Sequence, residues 1–358
     1  MNDTNSQTET VERLLAIAAG IAAAAQQAGQ TDDTLRDLAE RAVESLRTIG
    51  RDPAAVAPLV RTAVAPLVRT EDLAGTLLSD YSKRQTAAAA HGGVVGVRTG
   101  HNHIDEALNG LEPGKLYMLA AMPGTGKTTL ALQWAATIAA EGSTALYLSL
   151  ENDSVDLARK LACRLGQVSY ASSLKGKLGR QQWAEAVNCL NKLHGRLFLS
   201  TPRASMPDLS TLVEGFKERT GAAPALIVVD YLQAWVKRMS IGADTSDVRE
   251  RIDRFTPQLR EIGERYGSAV LAISAQNRAA YKNGGIDGLK ESGDLEYNAD
   301  AIMTLAKLDE KDKSFDITRD PRLIPLKLVV EKNRQGVSGS VTKLLFDADY
   351  CMVEEEDR

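Results

Sequence analysis

Apolar runs of strand length alternate with stretches of helical periodicity between residues 116 and 274. Unbroken apolar segments predict buried strands at 116–121, 144–150, 196–201, 225–231 and 268–274. Apolar positions three and four apart predict helices at 127–141, 153–166, 181–194, 207–219 and 247–266. Alternation at this spacing implies an α/β fold: a mostly parallel sheet with helices on both faces. The pattern changes after residue 300. Short strands near 301–308, 323–332, 340–347 and 350–354, joined by tight turns, predict antiparallel additions at one sheet edge.

The first 91 residues carry a different pattern. A polar start at 1–8 precedes helical stretches at 9–28, 32–49 and 71–90, and His91-Gly92-Gly93 marks a boundary. The expected organisation is a small all-helical N-terminal region (1–70), a linker helix (71–91) and an α/β domain (92–358). Residues 55–62 read AVAPLVRT and 63–70 repeat them. One short tandem copy fits a duplication in a tolerant linker better than a repeat array, which needs longer and more numerous units.

Composition narrows the picture only slightly. A net charge of −4 over 358 residues gives no global basic field. Cys163, Cys189 and Cys351 form no CxxC pair, which points to a reducing cytoplasm and away from a structural zinc site. The stretch Leu14–Ala25 is too short and alanine-rich to span a bilayer, and it follows Glu9 and Glu12 rather than a cationic start. No membrane partner is expected. His101 and His103 are read as local loop chemistry.

The candidate chemistry sits where the first predicted strand meets its helix. Residues 121–128 spell Ala-x-x-x-x-Gly-Lys-Thr, a phosphate-binding loop with Ala121 at the usual first glycine. Across Ala121, Met122, Pro123, Gly124, Thr125, Gly126, Lys127, Thr128 and Thr129, backbone N–H groups would wrap a nucleotide's phosphates at a helix N-terminus. Lys127 would reach the β- and γ-phosphates, and the Thr128 hydroxyl would bind Mg²⁺. Asp230 ends the apolar run 225–229 at the side of the sheet where such folds bind ligands, so it is the candidate to hold Mg²⁺. Glu151 ends a second strand. It reads equally well as a general base toward water or as an ordinary acidic residue at a helix start.

Residues 92–358 resemble the RecA-type motor domain of DnaB-like replicative helicases. The matches run in family order: Thr99-Gly100, Ile104-Asp105 and Gly110 to Gly114; the loop with Ala121 first; Ser149-Leu150-Glu151; Asp230 to Gln233; Lys290 to Gly293, Leu295-Glu296 and Ala299-Asp300; and Glu331 to Gly336. The resemblance implies a RecA-like fold with ATP and Mg²⁺ as cofactors, and Glu151 as the residue that activates water. It implies that Lys332 and Arg334 reach the γ-phosphate held by the next subunit. Lys290, Glu291 and Gly293 would line a channel for single-stranded DNA. The expected activity is ATP-driven 5′–3′ unwinding of duplex DNA during replication by a homo-oligomeric, hexameric ring. A primase or helicase loader is a further candidate partner.

Two departures stand out. The family places a glutamine directly after the serine of its sensor strand, whereas here Ala275 follows Ser274 and Gln276 comes one later. A one-residue shift reverses the face of a strand, so Gln276 is a candidate sensor only if the strand ends earlier. The region before the linker helix is also smaller than the family's collar, and no zinc-ribbon cysteines mark a fused primase. These departures motivate the alternative of a RecA-like ATPase that switches assembly or partner binding without unwinding. A recombinase or circadian-clock-type ATPase fits the two nucleotide motifs but matches 290–293 and 332–336 less well.

Overall fold

The computed structural model describes residues 69–202, 208–239, 248–275, 297–308, 320 and 322–356, with backbone alone at 238, 239 and 248–250. The helices expected at 9–28 and 32–49 lie outside the described residues, as do Gln276, Lys290, Glu291 and Gly293. The chain divides into two compact units, Met1–Tyr81 and Ser82–Arg358. In the first, a 3₁₀ turn at Thr70–Leu73 leads into helix α1 (Ala74–Ala90), which runs across the unit boundary. Leu77, Leu78 and Tyr81 on this helix are exposed.

The second unit is built on one nine-stranded sheet. Its elements after α1 are α2 (Asn102–Leu108), β1 (Leu116–Ala121), α3 (Lys127–Ala140), β2 (Ala145–Ser149), α4 (Ser154–Gly166), α5 (Tyr170–Leu174), α6 (Arg180–Asn188) and β3 (Leu197–Ser200). There follow α7 (Leu209–Thr220), β4 (Leu226–Asp230), α8 (Leu232–Met239), α9 (Val248–Tyr266), β5 (Ala269–Ala275), β6 (Ala301–Lys307), β7 (Leu323–Asn333), β8 (Ser340–Asp347) and β9 (Met352–Glu355). The strand order is β3-β2-β4-β5-β1-β6-β7-β8-β9. Pairing is parallel from β3 to β6 and antiparallel from β6 to β9, so the strand expected near 301–308 as an antiparallel addition instead joins β1 in parallel.

The strands read as continuous apolar runs because both faces are covered. Along β1, Tyr117, Leu119 and Ala121 join the core that holds Trp134 and Ile138 of α3 and Leu157 of α4. Leu116, Met118 and Ala120 join the opposite core, with Val213 of α7, Trp235 of α8 and Leu259 of α9.

Among the described residues three helices lie where no helix was expected: α2, α5 and α8. Each of the first two is held by a distant carboxylate. Glu355 accepts from the N–H groups of His103 and Ile104 at 3.0 and 3.4 Å, and Asp349 accepts from the Ser169 hydroxyl and the Ala171 N–H at 2.8 and 3.2 Å. A helix of five to seven residues does not stand alone in water, so these exist through tertiary contacts. The third, α8, does carry helical spacing at Leu232, Trp235 and Val236, all buried.

The C-terminal strand is fastened to the helix that starts at the candidate phosphate loop. Gln133 of α3 donates to the Val353 carbonyl at 2.7 Å and accepts from the Val353 N–H at 2.9 Å. His101 joins the same carbonyl through Nε2 at 3.1 Å, while Trp134 Nε1 donates to His101 Nδ1 at 3.0 Å. An N–H aimed at Nδ1 requires that nitrogen to be bare, so the proton sits on Nε2 and the ring is neutral. Burial lowers the His101 pKa and favours the same state. His103 pairs with Glu355 at 3.2 Å. The two histidines are thus part of the fold's own bonding, but through long-range contacts to β9 rather than the local loop chemistry expected.

Candidate active site

The fold brings four of the predicted residues, Lys127, Thr128, Asp230 and Glu151, to one end of the sheet. β1 ends at Ala121, and the loop returns through Gly124 (φ 76°) and Gly126 (φ 97°) to α3, whose first residue is Lys127. Positive φ at both positions suits glycine and turns the loop tightly. Gly126 is also pressed from below: a Cβ there would stand 3.2 Å from the Phe346 ring of β8. The Lys127 side chain is buried, with its ammonium 5.9 Å from the Tyr231 ring centroid.

Asp230 ends β4 on the neighbouring side. Ser149 of β2 stands in register with it, and the Leu150 N–H donates to the Asp230 carbonyl at 2.9 Å. Glu151 follows two residues after Ser149 and is exposed. Asp230 is itself fully buried. Tyr147, from the middle of β2, donates its hydroxyl to Asp230 Oδ2 at 2.8 Å, while Oδ1 has no hydrogen-bond partner among the described residues. Burial raises the carboxyl pKa, opposed by the Tyr147 hydroxyl, the nearby Thr128 hydroxyl and the Lys127 charge.

This arrangement fits a hard cation. The Thr128 hydroxyl and a buried, unpartnered carboxylate oxygen are the donors Mg²⁺ takes. Among the described residues no group of three or more His, Cys, Asp and Glu could hold a metal unaided. The ion would therefore bind together with phosphates and water, as Mg²⁺ commonly does.

Lys332 and Arg334 lie elsewhere. The Lys332 ammonium donates to the Ala299 carbonyl at 3.0 Å. The Arg334 guanidinium donates to the Tyr297 carbonyl and stands 3.8 Å from Asp300 Oδ1. Its N–H bonds the Asp300 carbonyl at 2.9 Å, and the Asp300 N–H bonds the Leu116 carbonyl at 2.8 Å. Leu116 is the first residue of β1 and Ala121 the last, so the arginine sits at the opposite sheet end from the loop. The five steps from Leu116 to Ala121, at roughly 3.3 Å each, put these two ends of β1 about 17 Å apart. The chain's own loop and its own arginine do not meet.

At the sensor strand, β5 continues through Ala275. Ala275 is the last described residue before Gln276, which itself lies outside the described residues. Gln233 of α8 holds that strand end. Its amide donates to Ser274 Oγ at 2.8 Å and to the Ala275 carbonyl at 3.3 Å, and accepts from the Ala275 N–H at 3.2 Å. Gln233 was named only as the end of the motif that begins at Asp230, and Tyr147 was given no role from sequence. The available signal for Tyr147 was a phenol inside an otherwise apolar strand run.

A family model described as the DnaB-like helicase C-terminal domain matches residues 96–355. The replicative DNA helicase DnaB of Leifsonia xyli subsp. xyli is 27% identical over 266 residues, covering 72% of this chain and 56% of that protein. That of Geobacillus stearothermophilus is 24% identical over 281 residues, covering 76% and 60%. The chain thus spans somewhat over half the length of the curated relatives it matches. Among solved structures, an ATPase domain superposes with a TM-score of 0.66 at 20% identity, over 80% of this chain and 99% of that one. A DnaB-like replicative helicase studied with primase superposes at 0.65 and 17% identity, over 89% and 75%. The structural likenesses establish the RecA-like fold expected from sequence.

Proposed function

The chain belongs to the family of the DnaB-like helicase C-terminal domain, and on that premise we propose that it is an ATP-driven, ring-forming DNA helicase. One observation carries the reading. Lys127, Thr128, Asp230 and Glu151 gather at one sheet end, while Arg334 sits at the other, beside the start of β1. A site so divided is complete only where one chain's arginine meets the next chain's loop, which supports a ring, proposed to be hexameric.

In each site the N–H groups of the loop and the start of α3 would cradle the phosphates, and Lys127 would offset their charge. Thr128 and Asp230 would hold Mg²⁺, which lends charge stabilisation at the transferring phosphoryl group. Glu151, exposed beside Asp230, is proposed to take the proton of the attacking water. The Arg334 of the adjacent subunit would stabilise the charge that develops on the γ-phosphate, exchanging its Asp300 and Tyr297 contacts for that role. Lys332 would act beside it. Lys290, Glu291 and Gly293 are proposed to follow single-stranded DNA through the ring, with α1 as the linker to a neighbouring subunit. The place of action would be cytoplasmic, with a primase or loader as a partner.

The test is strand displacement on a forked duplex. Lys127→Ala should abolish both ATP hydrolysis and displacement. Mixing Arg334→Ala chains with Lys127→Ala chains should restore part of the hydrolysis, because some interfaces then carry one intact loop and one intact arginine. Displacement by Lys127→Ala alone would sink the helicase reading. No recovery at any mixing ratio would sink the trans arginine.

A further inference from the structure

The phenol of Tyr147 is fully buried in the centre of β2, between the candidate phosphate loop's helix and Asp230. Its hydroxyl stands 2.8 Å from Asp230 Oδ2 and 3.4 Å from the Thr128 carbonyl oxygen. One hydroxyl proton serves one strong bond, and the shorter distance assigns it to the carboxylate. The ring cannot move to solvent, since Leu130, Ala131 and Val228 belong to the same buried cluster. An aspartate's terminal torsion is broad and soft, so a carboxylate without such a partner would turn about its own axis.

We propose that Tyr147 is a positioning residue for the metal-holding carboxylate: by occupying Asp230 Oδ2 it leaves Oδ1 as the oxygen offered to Mg²⁺ and its water. The inference rests on the nucleotide-site reading above. Three observations on the two residues support it. The carboxylate is fully buried, so water does not compete for Oδ2. Its other oxygen has no hydrogen-bond partner among the described residues. The backbone of Asp230 is fixed separately, by the Leu150 N–H on its carbonyl, so Tyr147 governs only the side chain. Partners of this kind orient ligating carboxylates, and their loss weakens metal affinity by about 10- to 100-fold.

The experiment titrates MgCl₂ against the full chain in the presence of a fluorescent, non-hydrolysable ATP analogue. Tyr147→Phe keeps the ring and removes only the hydroxyl. It should move the Mg²⁺ midpoint for analogue binding upward by about tenfold or more, leave binding in EDTA at the wild-type level, and recover the wild-type amplitude at saturating MgCl₂. A purely structural role predicts a lower melting temperature with an unmoved midpoint, and that result overturns the proposal. Failure to recover amplitude at saturating MgCl₂ overturns it as well, since a displaced carboxylate should still bind when the ion is abundant. Asp230→Asn is the reference. An unmoved midpoint in Tyr147→Phe alongside lost Mg²⁺ dependence in Asp230→Asn overturns the positioning role alone. Unchanged Mg²⁺ dependence in both overturns the site reading on which it stands.

Discussion

Replacing Gln133 by alanine tests whether the C-terminal strand supports the helix of the phosphate loop. Gln133 and Val353 are both buried, and the amide makes two bonds to Val353, at 2.7 and 2.9 Å. Each bond contributes about 1 kcal/mol net. After truncation the Val353 carbonyl still accepts from His101, but its N–H loses the partner that faces it from α3. A buried orphan donor costs roughly 1–3 kcal/mol, which brings the whole effect to about 3 kcal/mol. For a unit of roughly 280 residues, the unfolding entropy of ~2.1 cal/mol/K per residue turns this into a melting-temperature drop of about 5 °C. The assay is calorimetry paired with amide hydrogen exchange resolved at β9. Exchange at Val353 should accelerate while β1 and β4 stay protected. A drop under about 1 °C with unchanged exchange at Val353 would refute the reasoning.

Two further predictions concern the same unit. The neutral, buried His101 has a folded pKa below its unfolded value of about 6.5, so the unfolded chain binds more protons in the window beneath 6.5. Its contribution is present above that pH and is lost as pH falls toward the folded value. Thermal melts at pH 7.5 and 5.5 should show a loss that is smaller in His101→Asn, and equal losses would contradict the assignment. Gly96→Ala would place a Cβ 2.3 Å from the Leu111 carbonyl carbon, against backbone that no rotamer change can clear. It should cost more than ~3 kcal/mol, whereas Gly215→Ala in α7, with nothing within 4 Å, should stabilise by up to about 1 kcal/mol. Urea midpoints of the two variants should therefore move in opposite directions.

The sheet was legible from sequence where burial on both faces made the strands uniformly apolar. β1, β2, β4 and β5 appear within a residue or two of the runs that predicted them. The loop at 121–128 and Asp230 were legible because local pattern alone requires a strand, a turn and a helix around them. What stayed hidden depends on register. Whether the Tyr147 hydroxyl meets Asp230 is decided by how β2 pairs with β4, and nothing near position 147 encodes that pairing. The helices α2 and α5 were hidden for a related reason, since their partners Glu355 and Asp349 lie far along the chain.

The location of Arg334 depends on strand direction. Once β6 runs parallel to β1 and β7 returns antiparallel to β6, the end of β7 must fall beside the start of β1, away from the loop. The expectation from sequence did not contain that result, because it grouped 301–308 with the antiparallel strands, whereas β6 pairs parallel with β1. Asp300 makes the relation rigid: its carboxylate accepts from the Leu116 N–H at 3.0 Å and also faces Arg334 and Arg260. A single buried strand of six residues therefore sets the distance between a chain's loop and its own arginine. On the proposed reading every interface of a ring of identical chains inherits that spacing. A change at Asp300 would then disturb the arginine donated to one neighbour while leaving the chain's own loop to the next neighbour's arginine. That asymmetry is what distinguishes an interface-completed site from one that each chain completes alone.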